Sequence, residues 1–159
     1  MQKLLALVAA VLFTLGVLTG CGHNGGAATA QVGKTPVQTD KTSSAVVVEE
    51  GGKYTDKDHV ALYIHKFGKL PGNYITKNEA KKLGWKEEGT LDKVAPGKSI
   101  GGDHFGNFEH QVPDKQGRKW KECDIDYKKG NRGAKRIVFS SDGLIYYSPS
   151  HYKDFIKLY

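Results

Sequence analysis

The segment "SPSHYKDF" near the C-terminus contains His151, a residue type that can transfer protons in a reaction. Imidazole changes charge between about pH 5 and 8, which makes histidine a frequent general acid or base in enzymes. A histidine in a polar chain is also commonly an ordinary solvated surface residue. The local sequence by itself leaves both interpretations open.

Further ionisable side chains fall at alternate positions of two predicted strands. In "WKECDID", Glu122 and Asp124 alternate with Cys123 and Ile125, and Arg136 occupies the polar side of "KRIVFSS". A period of two places such residues on one face of a sheet. We expect this sheet to pack on its apolar face and to leave the polar face open to solvent. A solvated salt-bridge network would give the same pattern, so a site does not follow from it alone.

A dense group of residues in the middle of the domain has the side-chain types of metal ligands: Asp103, His104, Glu109 and His110. Their H-x4-E-H spacing matches none of the established zinc motifs. The nearby "IGGDHFG" contains glycines but lacks the Gly-Lys-Ser/Thr order of a phosphate-binding P-loop, which disfavours nucleotide hydrolysis. We therefore expect neither a metal nor another cofactor.

Helix signals come first along the domain. Asp56 and Asp58 are candidate N-caps for a helix that ends at Gly68. Thr76 begins a second helix with a capping box completed by Glu79, and this helix ends at Gly84. A third, short helix is predicted from Thr90 to Pro96.

Strand signals follow the helices, and Asp142-Gly143 predicts a two-residue hairpin turn before "LIYY". Helices followed by antiparallel strands indicate an α+β fold, with the N-terminal helices packed on a C-terminal antiparallel sheet. The formal net charge is +7. Its surplus lies in residues 56–159 and favours a polyanionic partner, either nucleic acid or an anionic membrane surface.

The first residues have the features of a bacterial export signal. A positive start and the apolar run "LLALVAAVLFTLGVL" end in "LTGC", which resembles a lipobox with lipidation at Cys21. The alternative is an ordinary signal peptide cleaved after Ala28-Thr29-Ala30. We predict a signal peptide over residues 1–20, a lipidated flexible tether over residues 21–55 and a domain over residues 56–159. With Cys21 lipidated, Cys123 would be a buried, unpaired thiol.

Five segments occur in one order along the chain: "KLPGNYITKNEAKKLGW", "VAPGKSIGGDHFGNFE", "GRKWKECDIDY", "RIVFSSDGLIYY" and "SHYKDF". Together they resemble the barnase-like family of small extracellular bacterial ribonucleases. The resemblance covers nearly the whole domain but neither the leader nor the tether. It implies the same α+β fold and endonucleolytic cleavage of single-stranded RNA without a metal, preferentially after guanosine.

The resemblance also implies catalytic roles. Glu122 falls at the position of the general base and His151 at that of the general acid. RNA carries its own nucleophile, the 2′-hydroxyl, so one group must accept its proton and another must protonate the leaving 5′-oxygen. A 2′,3′-cyclic phosphate forms first and is then hydrolysed. Three further residues fall on phosphate-binding positions that stabilise the transition state: Lys77, Arg132 and Arg136.

Substrate-binding positions follow from the same resemblance. Phe105, Asn107 and Glu109 match the guanine-recognition loop, Tyr152 matches a substrate contact, and Asp124 matches a carboxylate that holds the arginines. This chain departs from the family pattern in that loop, because Phe108 stands where the family has an arginine. An aromatic ring there is able to stack on a base.

We expect a monomer that acts outside the cell, attached to the membrane only through the lipid anchor that the leader predicts or otherwise secreted. The resemblance to the ribonuclease family suggests a small acidic inhibitor of the barstar kind. A membrane-tethered module that binds RNA without cleaving it is the alternative function. Such a module would bind RNA in a salt-dependent way and form no products.

Overall fold

The computed structural model describes residues 45–87 and 89–159. The predicted signal peptide, the lipidation at Cys21 and most of the predicted tether lie outside the described residues. Within the described ranges, no helix is both long and apolar enough to cross a membrane.

Two helices and one short 3₁₀ turn precede most of the sheet, as predicted. Helix α1 (Lys57–Phe67) is capped by the Asp56 side chain, which accepts a hydrogen bond from the His59 N–H. It ends at Gly68, whose φ of 65° is left-handed and suits glycine. Helix α2 (Lys77–Lys82) has the capping box predicted at Thr76, and the 3₁₀ turn covers Leu91–Lys93.

The strands form one six-stranded sheet in the order of the chain, β1-β2-β3-β4-β5-β6. Only the β1–β2 pair is parallel, and the other pairs are antiparallel. The predicted α+β class is therefore confirmed. The strand bounds are β1 Tyr74–Ile75, β2 Ser99–Phe105, β3 Trp120–Asp124, β4 Arg136–Ser140, β5 Ile145–Ser148 and β6 Ile156–Lys157.

The β4–β5 hairpin has a three-residue loop rather than the two-residue turn predicted. The Ser140 N–H donates to the Leu144 carbonyl, so Ser141, Asp142 and Gly143 form the loop. Gly143 has a φ of 95°. A turn followed by one left-handed residue is the usual form of a three-residue hairpin loop. Gly143 therefore adopts the left-handed conformation that glycine favours, but in a loop that is one residue longer than the predicted turn.

Helix α1 packs on one face of the sheet. Its Val60, Ala61 and Ile64 lie in one apolar cluster with residues that include Cys123 and Ile137. Burial raises the pKa of the Cys123 thiol, which keeps it protonated. The predicted burial of this cysteine is confirmed, and the thiol belongs to the core.

The opposite face of the sheet is not open to solvent, and this expectation was wrong. Glu122, Asp124 and Arg136 on that face are all buried, and Val138 beside them has no exposed surface. Loops cover the face, and Val112 from one of them packs with Trp120 and Val138. The sequence therefore predicted the correct face for these polar residues but not its burial. In a buried environment each charge needs a partner.

The packed region begins upstream of the predicted boundary at residue 56. Val48 is 3% exposed, and its carbonyl accepts a hydrogen bond from Lys66 on α1. The Gly51 N–H donates to the Tyr63 hydroxyl, and Glu50 pairs with Lys69 at 2.7 Å. Residues 48–54 therefore lie against the domain. Their sequence, Val-Glu-Glu-Gly-Gly-Lys-Tyr, carries no helical or strand period, which is why they were predicted to belong to the tether.

Candidate active site

Strand β3 positions the two carboxylates at the centre of the candidate site. Glu122 pairs with Val138 and Asp124 with Arg136 across the β3–β4 ladder. Directly opposed residues of antiparallel strands share a face, so both carboxylates lie opposite to α1. The ladder and the apolar cluster beneath it fix the backbone of both residues.

The Asp124 carboxylate holds two arginines. Arg132 donates from Nε and NH2 to its two oxygens at 2.6 and 2.7 Å, and Arg136 Nε lies 3.1 Å from Oδ1. Asp124 and Arg136 are 2% and 3% exposed in their side chains, whereas Arg132 is 22% exposed. Burial is the largest single effect on the pKa of Arg132 and lowers it. The hydrogen bond from Arg132 to Asp124 and the attraction of nearby negative charge, chiefly that of Asp124, together outweigh burial, so the pKa is raised. The cluster therefore presents one partly exposed guanidinium in a fixed orientation.

Glu122 is contacted on both carboxylate oxygens. Lys77 Nζ lies 2.7 Å from Oε1, and the Tyr152 hydroxyl donates to Oε2. Burial, together with this hydrogen bond, raises the pKa of Tyr152, so the phenol stays protonated. Arg136 Nε lies 3.3 Å from the same hydroxyl, which links the two charged groups.

Helix α2 carries Lys77 as its first residue, and two contacts hold that turn in place. Thr76 and Glu79 form the capping box, and the Lys77 N–H donates to Asp103 Oδ2 on β2 at 2.9 Å. The second contact was missed by the sequence analysis, which considered Asp103 only as a metal ligand. Nothing in the local sequence indicates it, because the two residues come together only through the β1–β2 pairing.

His151 lies in the segment between β5 and β6 and is exposed. Its φ is 57°, and Tyr152 follows with a φ of 68°, two consecutive non-glycine residues in the left-handed region. Such residues are uncommon and cluster at functional sites. The His151 N–H donates to the Ala134 carbonyl at 3.0 Å, which connects this segment to the loop that carries Arg132.

The segment after β2 forms the outer wall of the site. The buried side chain of Asn107 donates to the Val112 carbonyl at 2.8 Å and accepts from the Val112 N–H at 3.1 Å. Asn107 has a φ of 48°, a conformation that asparagine tolerates better than most residues. Phe105 stacks on Tyr152 with ring centroids 5.3 Å apart. Asn107 therefore shapes the loop through its side chain.

A cleft of about 550 Å³ runs between these elements. Seven of the predicted site residues line it: Lys77, Phe105, Asn107, Glu109, Glu122, His151 and Tyr152. Arg132 and Arg136 line a second concave surface that shares His151 with the cleft. Asp124 lies beneath the arginines. The tertiary structure thus brings nearly all predicted site residues to one side of the molecule.

Five cleft residues were not among the predicted site residues: His104, Gly106, Phe108, Gln111 and Lys153. His104 directly precedes Phe105, Gly106 lies between Phe105 and Asn107, and Lys153 directly follows Tyr152. Their positions next to predicted site residues were the available signal, and for Phe108 the aromatic ring in the predicted recognition loop was a second one. The alternative metal site finds no support in the geometry of the described residues, where no group of three or more His, Cys, Asp or Glu side chains is close enough to hold an ion.

The arrangement combines a buried carboxylate, an exposed imidazole and cationic side chains around one cleft. Lys77, Arg132 and Arg136 carry three positive charges, and Glu122 and Asp124 carry two negative ones. The balance suits a singly charged phosphodiester. A carboxylate and an imidazole that face the same ligand can divide the two proton transfers of an acid–base reaction.

The chain is similar to several known proteins. A family model described as ribonuclease matches residues 57–159. A ribonuclease of Bacillus pumilus is 43% identical over 157 residues, which are 96% of this chain and 93% of that protein. A ribonuclease of Bacillus intermedius is 41% identical over the same shares of each chain. A ribonuclease of Heyndrickxia coagulans is 51% identical over 102 residues, 64% of this chain and 94% of that protein. The chain is an RNA-cleaving enzyme and belongs to the ribonuclease family, of the barnase-like kind that its sequence motifs indicated.

Proposed function

We propose that the enzyme cleaves single-stranded RNA internally by transesterification, with Glu122 as general base and His151 as general acid. The observation that carries this proposal is that both side chains line one cleft, with Lys77 and Tyr152 bound to the Glu122 carboxylate. The cleft has a volume of about 550 Å³, and His151 is exposed at it.

In the first step, the 2′-oxygen attacks the neighbouring phosphorus and its proton passes to Glu122. The bond from phosphorus to the 5′-oxygen breaks, and His151 gives that oxygen its proton. A carboxylate has acceptor sites for about four hydrogen bonds, so Glu122 can accept the 2′-hydroxyl beside its two present partners. In the second step the roles reverse, and water opens the 2′,3′-cyclic phosphate to a 3′-phosphate.

The pentavalent intermediate carries more negative charge than the substrate. Cations that are already in place stabilise it without reorganisation. Lys77 is held by Glu122, and Arg132 and Arg136 are held by Asp124, so all three cations are oriented before RNA binds. No step of this mechanism uses a metal ion, and we propose that the activity is independent of metal.

Guanine preference would come from Glu109. Its carboxylate is exposed in the cleft and can accept hydrogen bonds from the guanine N1–H and exocyclic amine. Adenine offers no such pair of donors. The Asn107–Val112 hydrogen bonds hold the backbone on the N-terminal side of Glu109, which supports a defined position for that carboxylate.

A dinucleotide assay tests the proposal. We expect purified enzyme to cleave GpA to guanosine 2′,3′-cyclic phosphate in the presence of EDTA. Each well-placed proton transfer contributes roughly a hundred- to ten-thousand-fold, so Glu122→Gln and His151→Ala should each lower kcat by about that factor. A wild-type rate equal to that of the Glu122→Gln, His151→Ala double variant would favour the alternative, a module that binds RNA without cleaving it.

The cellular context is part of the same proposal. We propose a monomer that acts outside the cell, held at the membrane by lipid on Cys21, and open to inhibition by a small acidic protein over the cationic cleft. Cys21→Ser should move the protein from the detergent phase to the aqueous phase on partitioning. Unchanged partitioning would contradict the anchor and leave the catalytic proposal unaffected.

A further inference from the structure

Phe108 is the most exposed large apolar side chain in the described part of the chain. It is 91% exposed, compared with 68% for Val47 and 55% for Leu83, and it lines the cleft next to Glu109. Neither Val47 nor Leu83 lines that cleft. Burial in the fold therefore does not explain an aromatic residue at position 108.

The position of the Phe108 ring depends on Gly106. A methyl group at Gly106 would lie 2.3 Å from Phe108 Cε2 and 2.8 Å from Cδ2, so the ring occupies the space beside that backbone. The rest of the ring faces solvent. Asn107, between the two residues, ties the loop to Val112. The ring thus has a defined place at the cleft rim without being packed into the core.

A base that binds Glu109 uses its edge, because the N1–H and the amine lie in the plane of the ring. Its faces remain available to neighbouring groups. Phe108 directly precedes Glu109, and both residues line the cleft. Every nucleobase has a π-face, so stacking on an aromatic side chain strengthens binding with little dependence on sequence.

We propose that Phe108 stacks on the nucleobase whose edge Glu109 contacts. It supplies affinity that is independent of the base, whereas Glu109 supplies the discrimination. This inference rests on the proposed function, because it requires the RNA strand to occupy the cleft. A neutral ring also releases no counterions, so its contribution does not weaken with salt.

The test measures binding alone, which separates it from the catalytic proposal. Deoxytrinucleotides with a central guanine, adenine, cytosine or thymine lack the 2′-hydroxyl and are not cleaved. Phe108→Leu keeps an apolar side chain but removes the ring. We expect it to raise Kd for all four ligands, by at most the roughly 5- to 150-fold that truncation of a stacking ring to alanine typically costs, and Phe108→Trp to retain wild-type affinity. Glu109→Ala should instead reduce only the preference for guanine.

Two controls sharpen the result. Leu83→Ala removes an exposed apolar side chain outside the cleft and should leave Kd unchanged. Lys153→Ala removes a cleft cation and should reduce the slope of log K against log salt by about 0.7, whereas Phe108→Leu should leave that slope unchanged.

Two outcomes would overturn the proposal. Equal Kd values for wild type and Phe108→Leu would show that the ring does not contact nucleic acid, and would direct attention to a protein contact instead. A loss confined to the guanine ligand would show that Phe108 selects the base. Melting temperature should be the same for wild type and Phe108→Leu, since the side chain is nearly fully exposed.

Discussion

The cleft has two walls that are built in different ways. The ion-pair wall, on β3 and β4, is built on two buried carboxylates that hold cations. Glu122 holds Lys77 in the cleft, and Asp124 holds Arg132 and Arg136 at the adjoining concave surface. The loop wall, formed by residues 106–112, is irregular, and the Asn107 side chain bonds the backbone of Val112 and the side chain of Asp114 to hold its shape. Only the first wall is part of the sheet.

This difference matches what each wall would have to do. The proposed general base and the carboxylate that orients the arginines must be held within a fraction of an ångström, and a strand of a packed sheet provides that precision for Glu122 and Asp124. Base recognition needs only a group that binds the edge of the base and a ring that packs on its face, and a loop can supply both. Loops also accept substitution more readily than strands. This fits the comparison with the family pattern, in which Phe108 replaces an arginine in the loop and no residue of the ion-pair wall differs.

The largest expected effect on stability is at the centre of the ion-pair wall. Asp124→Asn removes the negative charge between two guanidiniums and leaves them uncompensated. Breaking a buried pair in this way typically costs about 3–5 kcal/mol, and we expect a loss of that size in the free energy of unfolding measured with urea.

Asp126→Asn is the matched control for that experiment. Asp126 lies two residues further along and pairs with Lys135 at 2.6 Å on the surface. An exposed pair contributes at most about 1 kcal/mol, so this variant should unfold almost like the wild type. Similar losses for both variants would mean that burial of the Asp124 cluster does not distinguish the two walls.

An intermediate effect is expected in the loop wall. Asn107→Ala leaves the backbone groups of Val112 without their partner, which should cost about 1–3 kcal/mol in unfolding free energy. On dinucleotides we expect a higher KM and weaker guanine preference, with kcat little changed. Asn107→Gly separates the loss of hydrogen bonds from backbone strain. Glycine removes the same hydrogen bonds but adopts the left-handed backbone without strain. A fall in kcat as large as that of Glu122→Gln would show that the two walls are not independent.

The smallest effect concerns a surface pair that ties the end of the loop region to the β4–β5 hairpin. Arg118 donates from Nε and NH2 to Asp142, and the hydrogen bonds from Arg118 and Ser140 hold the pKa of that carboxyl below its usual range. A lowered pKa in the folded state stabilises the protein above the unfolded pKa of about 3.9. That contribution is lost as the pH falls through the folded value.

Asp142→Asn should therefore destabilise the protein at pH 7, and the difference from wild type should shrink in acid below about pH 4. Urea midpoints for both proteins across this pH range measure it. A difference that stays constant with pH would mean that the effect comes from the hydrogen bonds of the hairpin rather than from the charge of Asp142.

The local elements could be predicted from the sequence because their signals are local. Asp56, Thr76 and Gly68 are cap residues whose partners lie within four positions, and the structure has both helices where these residues indicated. Local signals did not predict the length of the β4–β5 loop, because strand register rather than turn composition set that length. Local signals also did not predict the packing of residues 48–54, because that packing depends on side chains of α1.

The chain order of five motifs was enough to determine the family, the fold class and the identity of the candidate catalytic residues. Tertiary structure alone decided that Glu122, Asp124 and Arg136 are buried, that Asp103 holds the first turn of α2, and that Phe108 remains exposed at the cleft. The physical reason is that residue type and periodicity assign a side chain to a face. Whether that face is dry or wet depends on loops distant in sequence, and on the partners they bring to each charge.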